Sequence, residues 1–205
     1  MRKFTRSPAP EFLLEKWETW GQEWKRLRDA NPAARFQWRT VEGEKVNHKL
    51  LPDLKTQVQE HCSFCDNYPI SPPSLDTVEH FRPKAFFPLE AYKWENLYYC
   101  CDFCQGKEDE FDEALLRPDA EDYAFDRFFR WDYTCGTLEV NEQASAEDQH
   151  RASVTLNLYR LNVGHPSLRR REMYERSRMP DKPLDDFAYR DFVGSPPLST
   201  GSPPP

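Results

Sequence analysis

Two cysteine pairs constrain this chain more than any other feature. Cys62-Ser-Phe-Cys65 and Cys101-Asp-Phe-Cys104 repeat one Cys-x2-Cys spacing, 39 positions apart. A thiolate pair spaced this way wraps one side of a tetrahedral metal, and two pairs close its shell. Four sulfurs leave no open coordination position, so a zinc held here would be structural. Chemistry, if any, must come from between the pairs, where Glu79, His80 and Asn96 are the candidates. Cys100 sits beside Cys101, so a Cys100-x3-Cys104 pairing is the alternative; the matching x2 spacing favours Cys101.

Composition agrees with a small core helped by a metal. Of 205 residues, 38% are hydrophobic and 31% charged. No run of about 18 apolar residues is present, so no membrane span is expected. Nor does an apolar signal region follow Met-Arg-Lys-Phe-Thr-Arg. A cytoplasmic setting is therefore expected, where paired cysteines more often bind metal than each other. The net charge of −7 argues against a broad electrostatic grip on nucleic acid. It leaves room for a local one, because Arg82, Lys84, Lys93 and Lys107 cluster around the motif.

Four segments are expected: an N-terminal helical region (1–60), the cysteine-bracketed core (61–116), a hairpin with C-terminal helices (117–178), and a Pro-rich tail (179–205). Leu13, Trp17, Trp20, Trp24 and Leu27 recur every three or four positions, predicting an amphipathic helix over 10–29 whose stripe packs inward. A second helix is expected over Pro52–Glu60, with Pro52 in its first turn. His61, next to the first pair, is read as lying outside the ligand set. Leu75–Phe81 and Asn96–Tyr99 read as strands, and a helix is expected from about Cys104 to Leu116. Phe125–Trp131 and Thr137–Val140 suggest a hairpin, with Cys135 a packed thiol. Residues 145–161 read as helix, followed by a basic helix to about Arg178. Arg169–Arg171 on that helix are candidates for phosphate contact or for a solvated face. From Met179 on, too little apolar surface remains to bury, and disorder is expected.

The combination of Cys62-x2-Cys65, Glu79-His80-Phe81-Arg82-Pro83-Lys84, Trp94-x-Asn96-Leu97 and Cys101-x2-Cys104 with Lys107 resembles the HNH endonucleases. More narrowly, it resembles the retron- and Septu-associated HNH nucleases of bacterial phage defence. Ser153–Asn162, followed by Leu168 and Arg169, is similar to the late helical segment of that group. The resemblance implies an α+β fold: a zinc-stapled ββα-metal finger embedded in a mostly helical domain with a small hairpin. It implies a metal-dependent endonuclease acting on DNA, with His80 as general base, Glu79 helping to hold a catalytic Mg2+ or other divalent ion, and Asn96 supporting the loop or the base. Arg82, Lys84 and Lys107 would contact nucleic acid. It also implies an ABC-type ATPase as partner. The family carries Asn after the last cysteine, where this chain has Gln105, a longer amide in an ion-binding position. Two other readings stay open: a zinc-stapled binding module without catalysis, and a dithiol redox protein, although no βαβ pattern surrounds either pair.

Overall fold

The computed structural model describes residues 1–70, 77–163, 166–178 and 182–194. The chain is a mixed α/β protein with small antiparallel sheets. Helices α1 (Glu11–Leu14) and α2 (Trp17–Ala30) precede a short hairpin, β1 (Thr40–Val41) and β2 (Glu44–Lys45), and then α3 (Val46–Gln57). The central pair is β3 (Thr77–His80) and β4 (Leu97–Cys100), followed by the single turn α4 (Asp102–Gln105). Beyond it come α5 (Phe125–Phe128), a hairpin of β5 (Phe129–Asp132) and β6 (Thr137–Val140), α6 (Ala146–Leu158), α7 (Pro166–Ser177) and α8 (Arg190–Gly194).

Local chemistry explains several boundaries. The β1–β2 turn has positive φ at Glu42 (53°) and Gly43 (84°), the twist a two-residue hairpin demands. The Ser145 side chain accepts from the Asp148 N–H at 3.1 Å, and Glu147 and Asp148 sit in the first turn of α6. Such a cap and such charges offset the unpaired N–H groups of a helix start. Asn31, extended ahead of Pro32, ends α2.

The tryptophan stripe packs inward for most of its length. Leu13 and Trp24 are buried, and Trp17 and Trp20 are partly so, while Leu27 is exposed. One hydrophobic cluster includes Met1, Leu50, Phe64, Tyr98, Phe128 and Leu161. The core thus runs through all three segments that the sequence separates at residues 60 and 116.

Four expectations need correcting. Helix α3 begins at Val46, so Pro52 lies inside it. The helix expected over 104–116 is one turn long. Its continuation carries Glu108, Asp109, Glu110, Asp112 and Glu113, whose like charges oppose a helix face, and Glu108 takes φ 53°. Cys135 is exposed at the hairpin tip. The expected disorder from Met179 does not hold over 182–194, where Ala188, Tyr189 and Phe192 form a second small cluster against Trp131, Tyr133 and Tyr174. That cluster borrows its apolar partners from the hairpin and α7, which a local composition count cannot see. The expected strand start at Leu75, the residue His165 and the expected disorder of 195–205 fall outside the described residues.

Candidate metal centre and adjoining groove

β3 and β4 pair antiparallel, with Thr77 opposite Cys100 and His80 opposite Leu97. This register brings the end of β4 against the Cys62–Cys65 turn, where the Ser63 N–H donates to the Tyr99 carbonyl at 3.0 Å. The turn is closed by the Asp66 N–H on the Cys62 carbonyl at 3.0 Å. The second pair is closed by the Gln105 N–H on the Cys101 carbonyl, also at 3.0 Å.

The sulfurs of Cys62, Cys65, Cys101 and Cys104 lie within 4.8 Å of one another. Cys65 and Cys101 are 3.6 Å apart. A tetrahedron with Zn–S bonds of about 2.3 Å places sulfurs about 3.8 Å apart, whereas a disulfide requires about 2.05 Å. The donor set therefore fits a closed, structural zinc. The crowded thiols share protons unevenly: burial raises Cys62, but hydrogen bonds among the thiols lower it overall, lower Cys101 to about 6, and raise Cys65 and Cys104. Cys100 lies against the cluster, but its sulfur turns to the Cys101 carbonyl at 3.1 Å and is not among the four. His61 is buried with both ring nitrogens on carbonyl oxygens, Nδ1 at 2.5 Å from Gln59 and Nε2 at 2.9 Å from Phe187, so it is not a ligand.

A groove of about 430 Å³ opens beside this cluster, lined by Glu79, His80, Lys84, Asp102, Gln105 and Asp109 among others. Four of the sequence-derived site residues, Glu79, His80, Lys84 and Gln105, border it together. Neighbouring strand residues point to opposite faces, and Glu79 and His80 accordingly enter different surroundings. Glu79 meets the Lys107 ammonium at 3.2 Å, with both side chains buried. Burial raises its carboxyl to about 7, against the pull of Lys107.

His80 is 5% exposed. Its ring is stacked on Trp38 (5.2 Å, 19°) and flanked by Phe36. Nε2 lies 2.9 Å from the Ala91 carbonyl. A carbonyl only accepts, so Nε2 carries the proton and Nδ1 keeps its lone pair. Burial, with Lys84 adding to it, lowers this imidazole to about 3, so it is neutral at physiological pH.

One assignment is narrowed and two change. Asn96, expected to support the loop or the base, supports the loop: it lies outside the groove lining, and its amide is committed to backbone. Oδ1 accepts from the Arg82 N–H at 2.7 Å, and Nδ2 donates to the Arg82 and Glu90 carbonyls, each at 3.0 Å. It braces the loop and has no free atom for a reacting group. Lys107, expected to meet nucleic acid, is 1% exposed and donates to the carbonyls of Phe81 and Glu110. A lysine so enclosed cannot reach a phosphate. Arg82 pairs with Glu90 at 3.2 Å and Glu113 at 2.8 Å and borders a separate depression with Lys93 and Arg117. Of the three expected nucleic-acid contacts, Lys84 alone faces the groove. On α7, Arg170 is buried on the Leu161 and Gly136 carbonyls, leaving Arg169 and Arg171 exposed.

Sequence reasoning missed the aromatic segment Phe36–Trp38 over His80 and the clasp of α8 on the first cysteine turn. There, Arg190 holds the Asp66 carboxylate at 2.7 Å through Nη2, and the Tyr189 N–H donates to the Asp66 carbonyl at 2.8 Å. The only available signal was the Phe-Ala-Tyr-Arg-Asp-Phe-Val run at 187–193, apolar amid a polar tail.

Among the described residues, the four cysteines are the one group of three or more His, Cys, Asp or Glu able to hold a metal together. No described helix is long and apolar enough to cross a membrane. The chain matches no family model and no curated protein.

Proposed function

We propose that this chain is an HNH-type endonuclease that hydrolyses phosphodiester bonds in DNA, its finger stapled by the four-cysteine zinc and its site in the adjoining groove. The observation that carries the reading is the His80 tautomer: with the Nε2 proton on the Ala91 carbonyl, the lone pair sits on Nδ1 of a residue lining that groove. A neutral imidazole is the form a general base requires, while a ring lowered to about 3 is a weak proton acceptor until substrate or metal changes its surroundings. Glu79, Gln105 and Lys84 border the same space.

A divalent ion would neutralise charge on the phosphate and stabilise the leaving oxygen. The groove offers the Glu79 carboxylate, the Gln105 amide and further acids at Asp102, Glu108 and Asp109. This set suits Mg2+ taken up with substrate, held by one or two carboxylates, phosphate oxygens and retained waters. It does not form a preformed cage. The cellular setting is bacterial phage defence in the cytoplasm, with an ABC-type ATPase as partner; the resemblance of the motifs supports this.

The test is metal-dependent nicking of plasmid DNA by the purified zinc-loaded chain, with His80→Ala as the control. A general base contributes about 10²–10⁴ in rate, so visible cutting should vanish in the variant. Near wild-type cutting by a folded His80→Ala protein would refute the assignment.

A second reading has its own support. His80 lies beneath Trp38, and Glu79 is paired with Lys107. Both favour a zinc-stapled module that binds nucleic acid or protein without cleaving. Absence of metal-dependent nicking, with zinc and fold intact, would select it.

A further inference from the structure

The stack of Trp38 on His80 has a second side. Trp38 is partly exposed, and it borders a cavity of about 500 Å³ together with Trp20, Tyr92, Glu23, Arg35 and Arg39. This space is separate from the acidic groove, and the residue that covers the imidazole is part of its wall.

The aromatic wall is held in place from several directions. Phe36 sits almost equidistant from Trp38 (5.1 Å) and His80 (5.4 Å), so it lies beside the stack and not on top of it. The Tyr92 hydroxyl donates to the Gln37 carbonyl at 3.0 Å, pinning the segment that carries Trp38. Trp20 meets Tyr92 edge-on at 5.2 Å. Trp24 Nε1 donates to the Lys84 carbonyl at 2.9 Å, which ties the cavity wall to the loop bearing the groove's cation.

The polar groups are unevenly matched. Arg39 is paired with Glu23 at 2.5 Å. Arg35 is exposed and makes no ion pair among the described residues. Lys84 Nζ lies 5.6 Å over the Phe36 ring, on the way from cavity to groove. In a chain of net charge −7, the cavity thus sets one cation unpaired among the described residues, Arg35, beside π-faces, with Lys84 at the edge of the acidic groove beyond. Such a pairing of aromatic rings with cations is how single strands are held without sequence preference: bases stack and phosphates follow the charges. The cavity volume lies within the range of small-ligand sites.

We infer that the Trp38 cavity receives an unstacked nucleobase of a single-stranded nucleic acid, with Arg35 and Lys84 on the flanking phosphates, so that the strand runs past Trp38 towards the His80 groove. In a duplex the base faces are occupied by their neighbours, so an intact double helix cannot fill this space. The inference rests on the nuclease reading only for the direction of the strand; the base site stands without it.

The experiment uses the zinc-loaded chain in buffer without added divalent ion, so that binding is read apart from cleavage. The probe is a fluorescein-labelled oligothymidylate about a dozen nucleotides long, followed by anisotropy, against a duplex of the same length. The single strand is expected to bind at least about tenfold tighter than the duplex. Trp38→Ala should lose about tenfold in affinity, and Trp38→Phe should keep most of it. Arg35→Ala, at an exposed side chain that the fold does not need, should weaken binding and flatten its salt dependence. This variant keeps the test decisive if Trp38→Ala fails to fold.

Equal affinity for duplex, wild-type affinity in a folded Trp38→Ala protein, or, where Trp38→Ala does not fold, wild-type affinity in Arg35→Ala overturns the inference. So does displacement by thymidine monophosphate at concentrations matching the oligonucleotide, because then a single nucleotide and not a strand is what the cavity holds. Binding that depends on Trp38 without metal-dependent cleavage of either plasmid or single-stranded DNA removes the nuclease and leaves the base site. Nicking that ignores Trp38 and Arg35 does the reverse.

Discussion

The Lys107 ammonium lies 3.2 Å from Glu79 Oε1, with 0% and 7% of the two side chains exposed, and the same ammonium also donates to the Phe81 and Glu110 carbonyls. A residue expected to reach outward to a phosphate is instead an internal strut between the end of β3 and the chain after α4. It neutralises the one acidic side chain that β3 turns inward.

Removing that strut should destabilise the fold. Lys107→Met leaves a buried carboxylate unpaired, which costs about 3–5 kcal/mol when it must stay charged. Glu79 is already raised to about 7 from 4.5. A carboxyl raised in the folded state contributes stability below about 4.5 and loses it as pH rises through about 7. Without Lys107 the folded value rises further, so the variant's deficit should be larger at pH 8 than at pH 5. Urea unfolding at both values measures this. A variant as stable as the parent that loses oligonucleotide affinity would return Lys107 to the surface role.

His80 titrates in the opposite sense. Its folded value, about 3, lies below the ordinary 6.5. The neutral ring therefore contributes stability above about 6.5 that is lost as pH falls towards 3, at about 1.4 kcal/mol per pH unit. Comparing His80→Asn with the parent isolates this group. The parent should lose about 2 kcal/mol relative to the variant between pH 7 and pH 5. Parallel stability profiles would mean that the ring is open to solvent.

The metal should be inseparable from the fold. Structural zinc contributes about 10–16 kcal/mol in small sites, comparable with the stability of a whole domain. About one zinc per purified chain is expected by mass spectrometry of metals. A strong chelator, or Cys62→Ser, should abolish cooperative thermal unfolding. Cys100→Ser should keep the zinc, since that sulfur stands outside the four. A zinc-free Cys62→Ser protein with an unchanged melting curve would count against the closed shell.

The α8 clasp should open as a unit. Arg190 and Asp66 are both buried, and their 2.7 Å pair joins the C-terminal segment to the residue after Cys65. Arg190→Ala leaves the Asp66 carboxylate without its partner, at about 3–5 kcal/mol. Hydrogen exchange should then rise over 182–194 while β3 and β4 stay protected. Uniform loss of protection across the chain would show that the segment belongs to the same cooperative unit as the sheet.

Ligand spacing and strand order could be read without coordinates because both are local. Although Phe125–Phe128, expected as strand, form α5, the two Cys-x2-Cys turns and the tight β5–β6 hairpin follow from residues a few positions apart. So does the capped start of α6, where Ser145 meets Asp148. The grouping of Glu79, His80 and Gln105 around one groove came from the motif. Its occupants' states did not, because burial and charge depend on partners far along the chain. Phe36 and Trp38 come from the loop after α2 to enclose His80, and a lysine after α4 neutralises Glu79. Polar tail composition hid a helix whose apolar neighbours sit on the hairpin and α7. What the amino-acid order determined alone was the two cysteine turns and the strand-forming runs beside them, since nearest neighbours along the chain decide those. Which side chains remain open to a ligand was decided only in three dimensions, where packing chose Lys84 and Trp38 over Lys107 and Asn96.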